Sequence, residues 1–449
     1  MAPRVAFHTL GCKVNQYDTR AVAALFRDAG YEVVDFSSPA EVYVINTCTV
    51  TSLGDKKSRQ ALRRARRQNP AAVVVAMGCY AQTAPDEVAS LPGVDVVVGT
   101  TGRRRLVELV ETARRRKGAA PVPPPPAAGA AVAVAPLTRE SEFEELGEGA
   151  VPERARATVK VQEGCRQYCS YCKVPYARGP ERSRPPAAVR AEVERLVAEG
   201  FREVVLTGIH LGSYGRDLPA EPRWDLARLA GEIARVPGLA RLRLSSLEPT
   251  DVTDALITLV GENPVLCRHF HLPLQSGDDA ILRRMNRHYT TAEYARVVER
   301  IRAAVPGAAL TTDLIAGFPG ETEEHFQRTL AFVREMAFSR LHVFPYSRRR
   351  GTPAASFPSQ VPEAVKRERA GRLIALGREL SLAFHQPLVG RTVTVLFEEA
   401  AGSWWSGLTD TYVRVLALSP VPLGGEIKPV RVERAEAEEV YGRVEEGEG

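Results

Sequence analysis

Three cysteines near the start of the chain, Cys12, Cys48 and Cys79, recur 36 and 31 residues apart, each one to three residues after a short apolar run. The runs Val5–Leu10, Glu41–Ile45, Ala72–Ala76 and a fourth, Val94–Val98, read as strands, and stretches between them such as Asp18–Ala29 and Asp55–Gln68 carry helical spacing. That alternation predicts a parallel sheet of the doubly wound type. All strands of such a sheet end on one edge, so the three thiols are predicted to meet at a single rim. One cysteine at a strand end is commonly a small buried hydrophobe. Three in phase favour a ligand set for an iron-sulfur cluster.

A tighter trio follows in Gly164-Cys-Arg-Gln-Tyr-Cys-Ser-Tyr-Cys172, a C-x3-C-x2-C pattern directly after the strand-like Ala157–Glu163. Three thiolates hold three corners of a cubane and leave one iron open to a reacting molecule. Structural zinc competes poorly, because it wants four ligands in paired sets and no second pair follows. The total of seven cysteines is odd, and the N-terminus lacks an apolar core for export, which argues against a disulfide framework. Free thiols without an export signal predict a reducing, cytoplasmic setting. No apolar stretch reaches the roughly 18 to 20 residues of a spanning helix, so no membrane association is expected. Cys267 has no such partners and is predicted to be a core thiol.

A chain of 449 residues should divide into two to four domains. Residues 118–150 read as a spacer, with Pro121-Val-Pro-Pro-Pro-Pro126, an alanine-rich run and acids from Glu140 to Glu148. Beyond it Val204–Thr207, Leu242–Ser245, Phe270–Leu274, Leu310–Ile315 and Leu341–Phe344 join the strand before the second trio to make six. Six parallel strands cannot close the usual eight-stranded barrel, so an open (β/α)6 partial barrel is predicted. Its chemistry should lie at the strand C-termini, where Thr207, Gly208, Ser246, Glu248, Gln275, Asp313 and Gly317 are the candidates for binding a ligand. Ordinary turn chemistry places the same residue types there. A helix over Ser359–Phe384 precedes four short alternating strands, Thr392–Phe397, Trp404–Thr409, Tyr412–Leu416 and Pro429–Val432, which predict a small antiparallel β-barrel. The class is α/β.

The C-x3-C-x2-C with Tyr171 before its last cysteine resembles the signature of the radical S-adenosylmethionine (SAM) enzymes. Leu10-Gly-Cys-Lys-Val-Asn-Gln-Tyr-Asp18, Asn46-Thr-Cys-Thr-Val50, Met77-Gly-Cys-Tyr80 and Pro175–Arg184 resemble the motifs of their methylthiotransferase branch. Gly11–Asp18 is most similar to the type acting on N6-threonylcarbamoyladenosine in tRNA. The resemblance implies two 4Fe-4S clusters, an auxiliary one on Cys12, Cys48 and Cys79 and a SAM-cleaving one on Cys165, Cys169 and Cys172. It further implies that Tyr171 contacts the adenine of SAM, Thr207-Gly208 its amino group, the Gln275 region its ribose and Leu314–Gly317 its adenine stack. The implied reaction replaces the hydrogen on carbon 2 of the modified adenosine at position 37, 3′ of the anticodon, with a methylthio group. An electron donor such as a flavodoxin or ferredoxin and a sulfur donor are implied as partners. The domains would be 1–117 for the auxiliary cluster, 118–150 as linker, 151–380 for the radical core and 381–449 for a barrel similar to the RNA-binding TRAM module. The alternatives are the same chemistry on isopentenyladenosine in tRNA or on a ribosomal-protein aspartate, and a non-catalytic iron-sulfur or zinc scaffold that binds RNA.

Charge is compatible with RNA without requiring it. The formal net charge is +6, and Lys56, Lys57, Arg59, Arg63, Arg64, Arg66 and Arg67 crowd one helix. Such a run is either a solvated face or a track for a phosphate backbone. Arg178, Arg182 and Arg184 are candidates to clamp SAM or RNA. From Leu388 onward acids outnumber bases by 11 to 6, which makes that module as a whole a poor phosphate binder and leaves only a face with Arg391, Arg414 and Lys428.

Overall fold

Strands β1 (Arg4–Thr9), β2 (Glu32–Val34), β3 (Val42–Thr47), β4 (Val73–Gly78), β5 (Val96–Val98) and β6 (Ala131–Ala133) form an all-parallel sheet in the order β2-β1-β3-β4-β5-β6. The reason is visible in the alternation. Val5, Val44, Val75, Met77 and Val96 point into one apolar layer with Val22 and Phe26 of helix α1 (Lys13–Asp28). Ala6, Tyr43, Ile45, Val74 and Val97 point into the other, with Ala61, Leu62 and Ala65 of helix α2 (Ser52–Gln68). Both faces are covered, which is why the strands read as unbroken apolar runs. The four expected strands are present; β2 and β6, three residues each, lie at the two sheet edges.

This computed structural model describes residues 2–119, 129–138, 140–146 and 155–445, so the proline-rich part of the predicted spacer lies outside the described residues. The chain divides into two compact units. The first comprises Met1–Val151, Glu163–Arg182 and Ser347–Ala355; the second comprises Pro152–Gln162, Ser183–Tyr346 and Ser356–Gly449. The C-x3-C-x2-C segment therefore belongs to the same unit as the N-terminal sheet.

In the second unit, β7 (Arg156–Glu163, its last residue in the first unit), β8 (Arg182–Ser183, its first residue in the first unit), β9 (Glu203–Gly208) and β10 (Arg241–Leu244) form a sheet in the order β10-β9-β7-β8. Strands β11 (His269–His271), β12 (Ala309–Ala316) and β13 (Arg340–Pro345) form a second, parallel one. Backbone bonds from Cys267 N to Leu242 O (2.9 Å) and from Leu247 N to His271 O (2.9 Å) join β10 to β11. The six predicted strands thus run side by side in chain order as an open barrel wall, with helices between them.

The last five strands, β14 (Thr392–Ala401), β15 (Trp404–Leu408), β16 (Arg414–Leu418), β17 (Ile427–Ala435) and β18 (Val440–Val444), close into a barrel in the order β14-β15-β16-β18-β17. Two features differ from the sequence expectation. A fifth strand lies within the acidic tail, where Val440 and Gly442 face inward between exposed residues. Its pairing with β16 is parallel, so the barrel is mixed rather than wholly antiparallel. The long helix before the barrel, Glu363–His385, starts after Pro362, which cannot donate into a helix interior.

Candidate cluster and cofactor sites

In the first unit the parallel register places Cys48 directly after β3 and Cys79 directly after β4, with Thr47 opposite Gly78. Cys12 follows β1, the neighbour of β3 on its other side, and forms the N-terminal cap of α1. The three thiols therefore occupy one edge of three adjacent strands, as the spacing predicts. The approach is close enough to require glycine: Gly11 has φ +103°, and a Cβ there would sit 3.1 Å from Cys48 Sγ. Cys48 and Cys79 are buried and Cys12 is exposed. Burial pushes the Cys79 thiol up to about 11, and Arg178 pulls the other way.

The rim is braced by a polar group the strand pattern did not single out. Asn15 Nδ2 donates to Leu10 O (2.7 Å) and Thr47 O (3.2 Å), tying the loop after β1 to the end of β3. Asn46 Nδ2 donates in turn to Asn15 O (2.9 Å) and Thr19 Oγ1 (3.0 Å). Asn15, Asp18 and Thr19 are buried on a helix whose other inward residues are mostly apolar, and that interruption is the signal in the sequence that could have found them.

The second trio lies in a loop closed on itself. Gly164 has φ +80°, and a Cβ there would fall 1.8 Å from Pro180 O, so only glycine lets the chain enter the loop. Cys165 N donates to Gly179 O (2.9 Å), and Cys172 N to Cys169 O (2.9 Å). Sulfur atoms in both trios accept backbone N–H groups two residues on. Gln167 N reaches Cys165 Sγ (3.5 Å), Val174 N reaches Cys172 Sγ (3.4 Å), and Val50 N donates to Cys48. Such bonds stabilise negative sulfur and are among the levers that set cluster potentials. Among the described residues no three His, Cys, Asp or Glu side chains converge tightly enough to hold a single metal ion. A cubane is wider than an ion, and the donor set of three thiols with N–H support fits it.

Arg178 links the two loops. It sits at the end of the short helix Val174–Arg178 after Cys172, it is fully buried, and its Nε lies 3.2 Å from Cys79 Sγ. Its Nη1 lies 2.9 Å from Asp18 and 3.0 Å from Glu163, the residue before Gly164. Arg103 holds Asp18 from the other side at 2.6 Å. The clamp expected of Arg178 is thus internal, spent on protein carboxylates and a thiol. Arg182 and Arg184 are also buried, Arg182 donating to Arg178 O (2.9 Å) and Arg184 paired with Glu192. Tyr171 lies in this unit, partly exposed.

In the second unit the other candidates lie at or beyond the ends of β9, β10, β11 and β12. Thr207 is buried and Gly208 lies against Gln162, whose Oε1 accepts from His210 N (2.7 Å). Ser246 is exposed, and its neighbour Ser245 has a buried Oγ with no hydrogen-bond partner among the described residues, an opening for a ligand atom. Gln275 has φ +67° and bridges the strand ends through Asp313 O (2.8 Å) and Ile315 N (2.9 Å). Asp313 faces His271 Nε2 at 3.3 Å. Two candidates have internal employment. Glu248 is held by Arg287 (3.1 Å to Oε1), and the space a side chain at Gly317 would need is filled by Lys366, whose Cγ lies 2.4 Å from the Cβ position.

Comparison with known proteins follows the same division. Residues 4–99 match the model described as uncharacterized protein family UPF0004, and residues 159–333 match the radical SAM superfamily. The solved radical SAM methyltransferase TsrM from Kitasatospora setae shares the fold at TM-score 0.57 and 17% identity, over 90% of this chain and 81% of that one. The matched superfamily and this shared fold define a radical SAM enzyme. Threonylcarbamoyladenosine tRNA methylthiotransferase MtaB of Bacillus subtilis (strain 168) is 44% identical over 96% of this chain and 94% of its own length. The MtaB of Aquifex aeolicus (strain VF5) is 40% identical over 92% and 96%. A tRNA-2-methylthio-N(6)-dimethylallyladenosine synthase of Streptomyces viridosporus is 39% identical over 88% of this chain and 76% of its own. The chain belongs to the radical SAM methylthiotransferase family.

Proposed function

We propose that this enzyme converts N6-threonylcarbamoyladenosine at position 37 of tRNA to its 2-methylthio derivative. The observation that carries the reading is 44% identity across nearly the whole chain to a protein of that name, with all six cysteines in one unit, three at the ends of adjacent strands and three in one loop. With 4Fe-4S clusters held by these thiols and SAM bound, the cofactors would supply a 5′-deoxyadenosyl radical and a methylated sulfur, which an aryl C–H without an acidic proton requires.

The chain's own residues prepare that chemistry. Cys165, Cys169 and Cys172 would hold the SAM-cleaving cluster, and Cys12, Cys48 and Cys79 the auxiliary one. Arg178 fixes the loop after Cys172 against Cys79 through buried charge-assisted bonds. For SAM the candidate contacts remain Tyr171, Thr207, Gly208, Ser246, Glu248, Gln275, Asp313 and Gly317, with Glu248 held in place by Arg287 and Lys366 packed against Gly317. The C-terminal barrel acts as a TRAM-like RNA-binding module, within the division 1–117, 118–150, 151–380 and 381–449. An electron donor such as a flavodoxin or ferredoxin supplies electrons. The setting is the cytoplasm; among the described residues no helix is long and apolar enough to cross a membrane.

The test is a nucleoside mass spectrum of bulk tRNA from cells with and without the gene. The methylthio form of threonylcarbamoyladenosine should vanish and its unmodified precursor accumulate, with dimethylallyladenosine derivatives unchanged. Loss of the methylthio group from dimethylallyladenosine instead would assign the enzyme to the other branch of its relatives.

A further inference from the structure

Helix α2 carries its cations in two classes. Arg59 and Arg66 are tied down, to Glu87 (3.6 Å) and Asp95 (2.7 Å). Lys57, Arg63, Arg64 and Arg67 are exposed and make no ion pair among the described residues. These four line one concave groove of about 620 Å³, together with His8, Leu10 and Phe36, and no carboxylate lines it. Asp35, beside Phe36, is close enough to Arg64 to feel its charge, but its Oδ1 is turned to Ser37, whose N lies 2.8 Å away. The groove has an aromatic floor: His8 and the buried Phe36 lie with ring centroids 4.8 Å apart, tilted by 34°, and Arg64 lies over the Phe36 ring at 5.5 Å. Burial, assisted by Arg64, holds His8 below its ordinary value, so that floor stays neutral at pH 7. Leu10, in the groove wall, is two residues from the exposed Cys12.

We infer that this groove takes the sugar-phosphate backbone of the substrate RNA beside the auxiliary ligand loop. The inference rests on the proposed action on tRNA and adds a binding surface to it. Unpaired cations around a neutral aromatic floor are the chemistry that single-stranded RNA recognises, phosphates on the rim and a base or ribose on the rings. An acidic electron-donor protein would also be attracted by the charge. A nucleotide-sized concavity suits a chain of nucleotides better than the broad flat patch of a protein interface.

The experiment uses the reconstituted holoenzyme and full-length tRNA, titrated across a KCl series. The variant Lys57→Gln/Arg63→Gln/Arg64→Gln/Arg67→Gln is compared with Arg115→Gln/Arg116→Gln, which removes exposed charge elsewhere on the same unit. Each phosphate deprived of its cation lowers the salt slope by about 0.7. The α2 variant should therefore lose about two to three units of slope and bind at least about tenfold more weakly at low salt, with SAM cleavage in the absence of RNA unchanged. The Arg115/Arg116 variant should behave as wild type. A milder Lys57→Gln/Arg67→Gln variant, with helicity checked by circular dichroism, should show about half the slope change, which unfolding would not mimic. Equal affinity and slope in the α2 variant overturn the inference. So does equal tRNA binding with slower cluster reduction by reduced flavodoxin, which would make the groove a protein-docking site. A wild-type enzyme that binds no tRNA overturns the proposed function itself, and the two failures are told apart by that arm.

Discussion

Arg178 shows how much one side chain can be asked to hold. Its guanidinium meets two buried carboxylates and a buried thiol within 3.2 Å. Removing one partner of a buried ion network strands the others in low dielectric, at a cost of about 3–5 kcal/mol. Arg178→Met should lower the unfolding free energy of the metal-free chain by that amount in a urea titration, and Arg178→Lys by clearly less. The role was not legible in the sequence because its partners lie 160, 99 and 15 positions away, a pairing no local spacing encodes. Glu248 and Arg287 were hidden in the same way, 39 positions apart. A second residue-scale case is Asp251, against which His210 packs at 2.6 Å. Burial alone would raise its carboxyl, but the bond from His210 and the charge of Arg216 hold it below the ordinary carboxylate range. A depressed folded value contributes stability that is complete above about pH 3.9, the unfolded value, and lost as the pH falls through the folded one. Thermal melts below pH 4 should therefore drop more steeply for wild type than for Asp251→Asn.

At the scale of elements, the cysteine loops depend on glycines that no other residue replaces. Gly164→Ala forces a Cβ into Pro180 O at a left-handed backbone position, and strain and overpacking together should cost about 3 kcal/mol. Iron bound by the reconstituted variant should fall toward the amount the Cys12 trio alone retains. The strands that lead to these loops were readable because both faces of each are covered, so Val42–Ile45 and Val73–Ala76 stand out as apolar runs. The edge strands β2 and β6 were not, since three residues carry too little periodicity. Strand β18 escaped because it offers only Val440 and Gly442 to the interior and is bracketed by Glu438, Glu439 and Glu445 in an acidic tail. The placement of Cys12, Cys48 and Cys79 was written most plainly, because a parallel sheet converts in-phase positions into a common edge.

For the molecule as a whole, two trios in one unit imply separable duties. Replacing Cys12, Cys48 and Cys79 together by alanine should leave reductive SAM cleavage within about twofold of wild type while abolishing methylthio transfer, with bound iron roughly halved. Chromatography of 5′-deoxyadenosine alongside the nucleoside product measures both. Loss of both activities would mean that the trios serve one inseparable centre.

The uneven cover over the auxiliary thiols has a consequence for how the enzyme is finished. Cys48 and Cys79 are walled in at the sheet edge, whereas Cys12 stands outdoors. Reagents arriving from solvent, iron and sulfide included, therefore meet Cys12 before the other two. Brief alkylation of the empty native chain, mapped by peptide mass, should mark Cys12 at least about tenfold faster than Cys48 or Cys79.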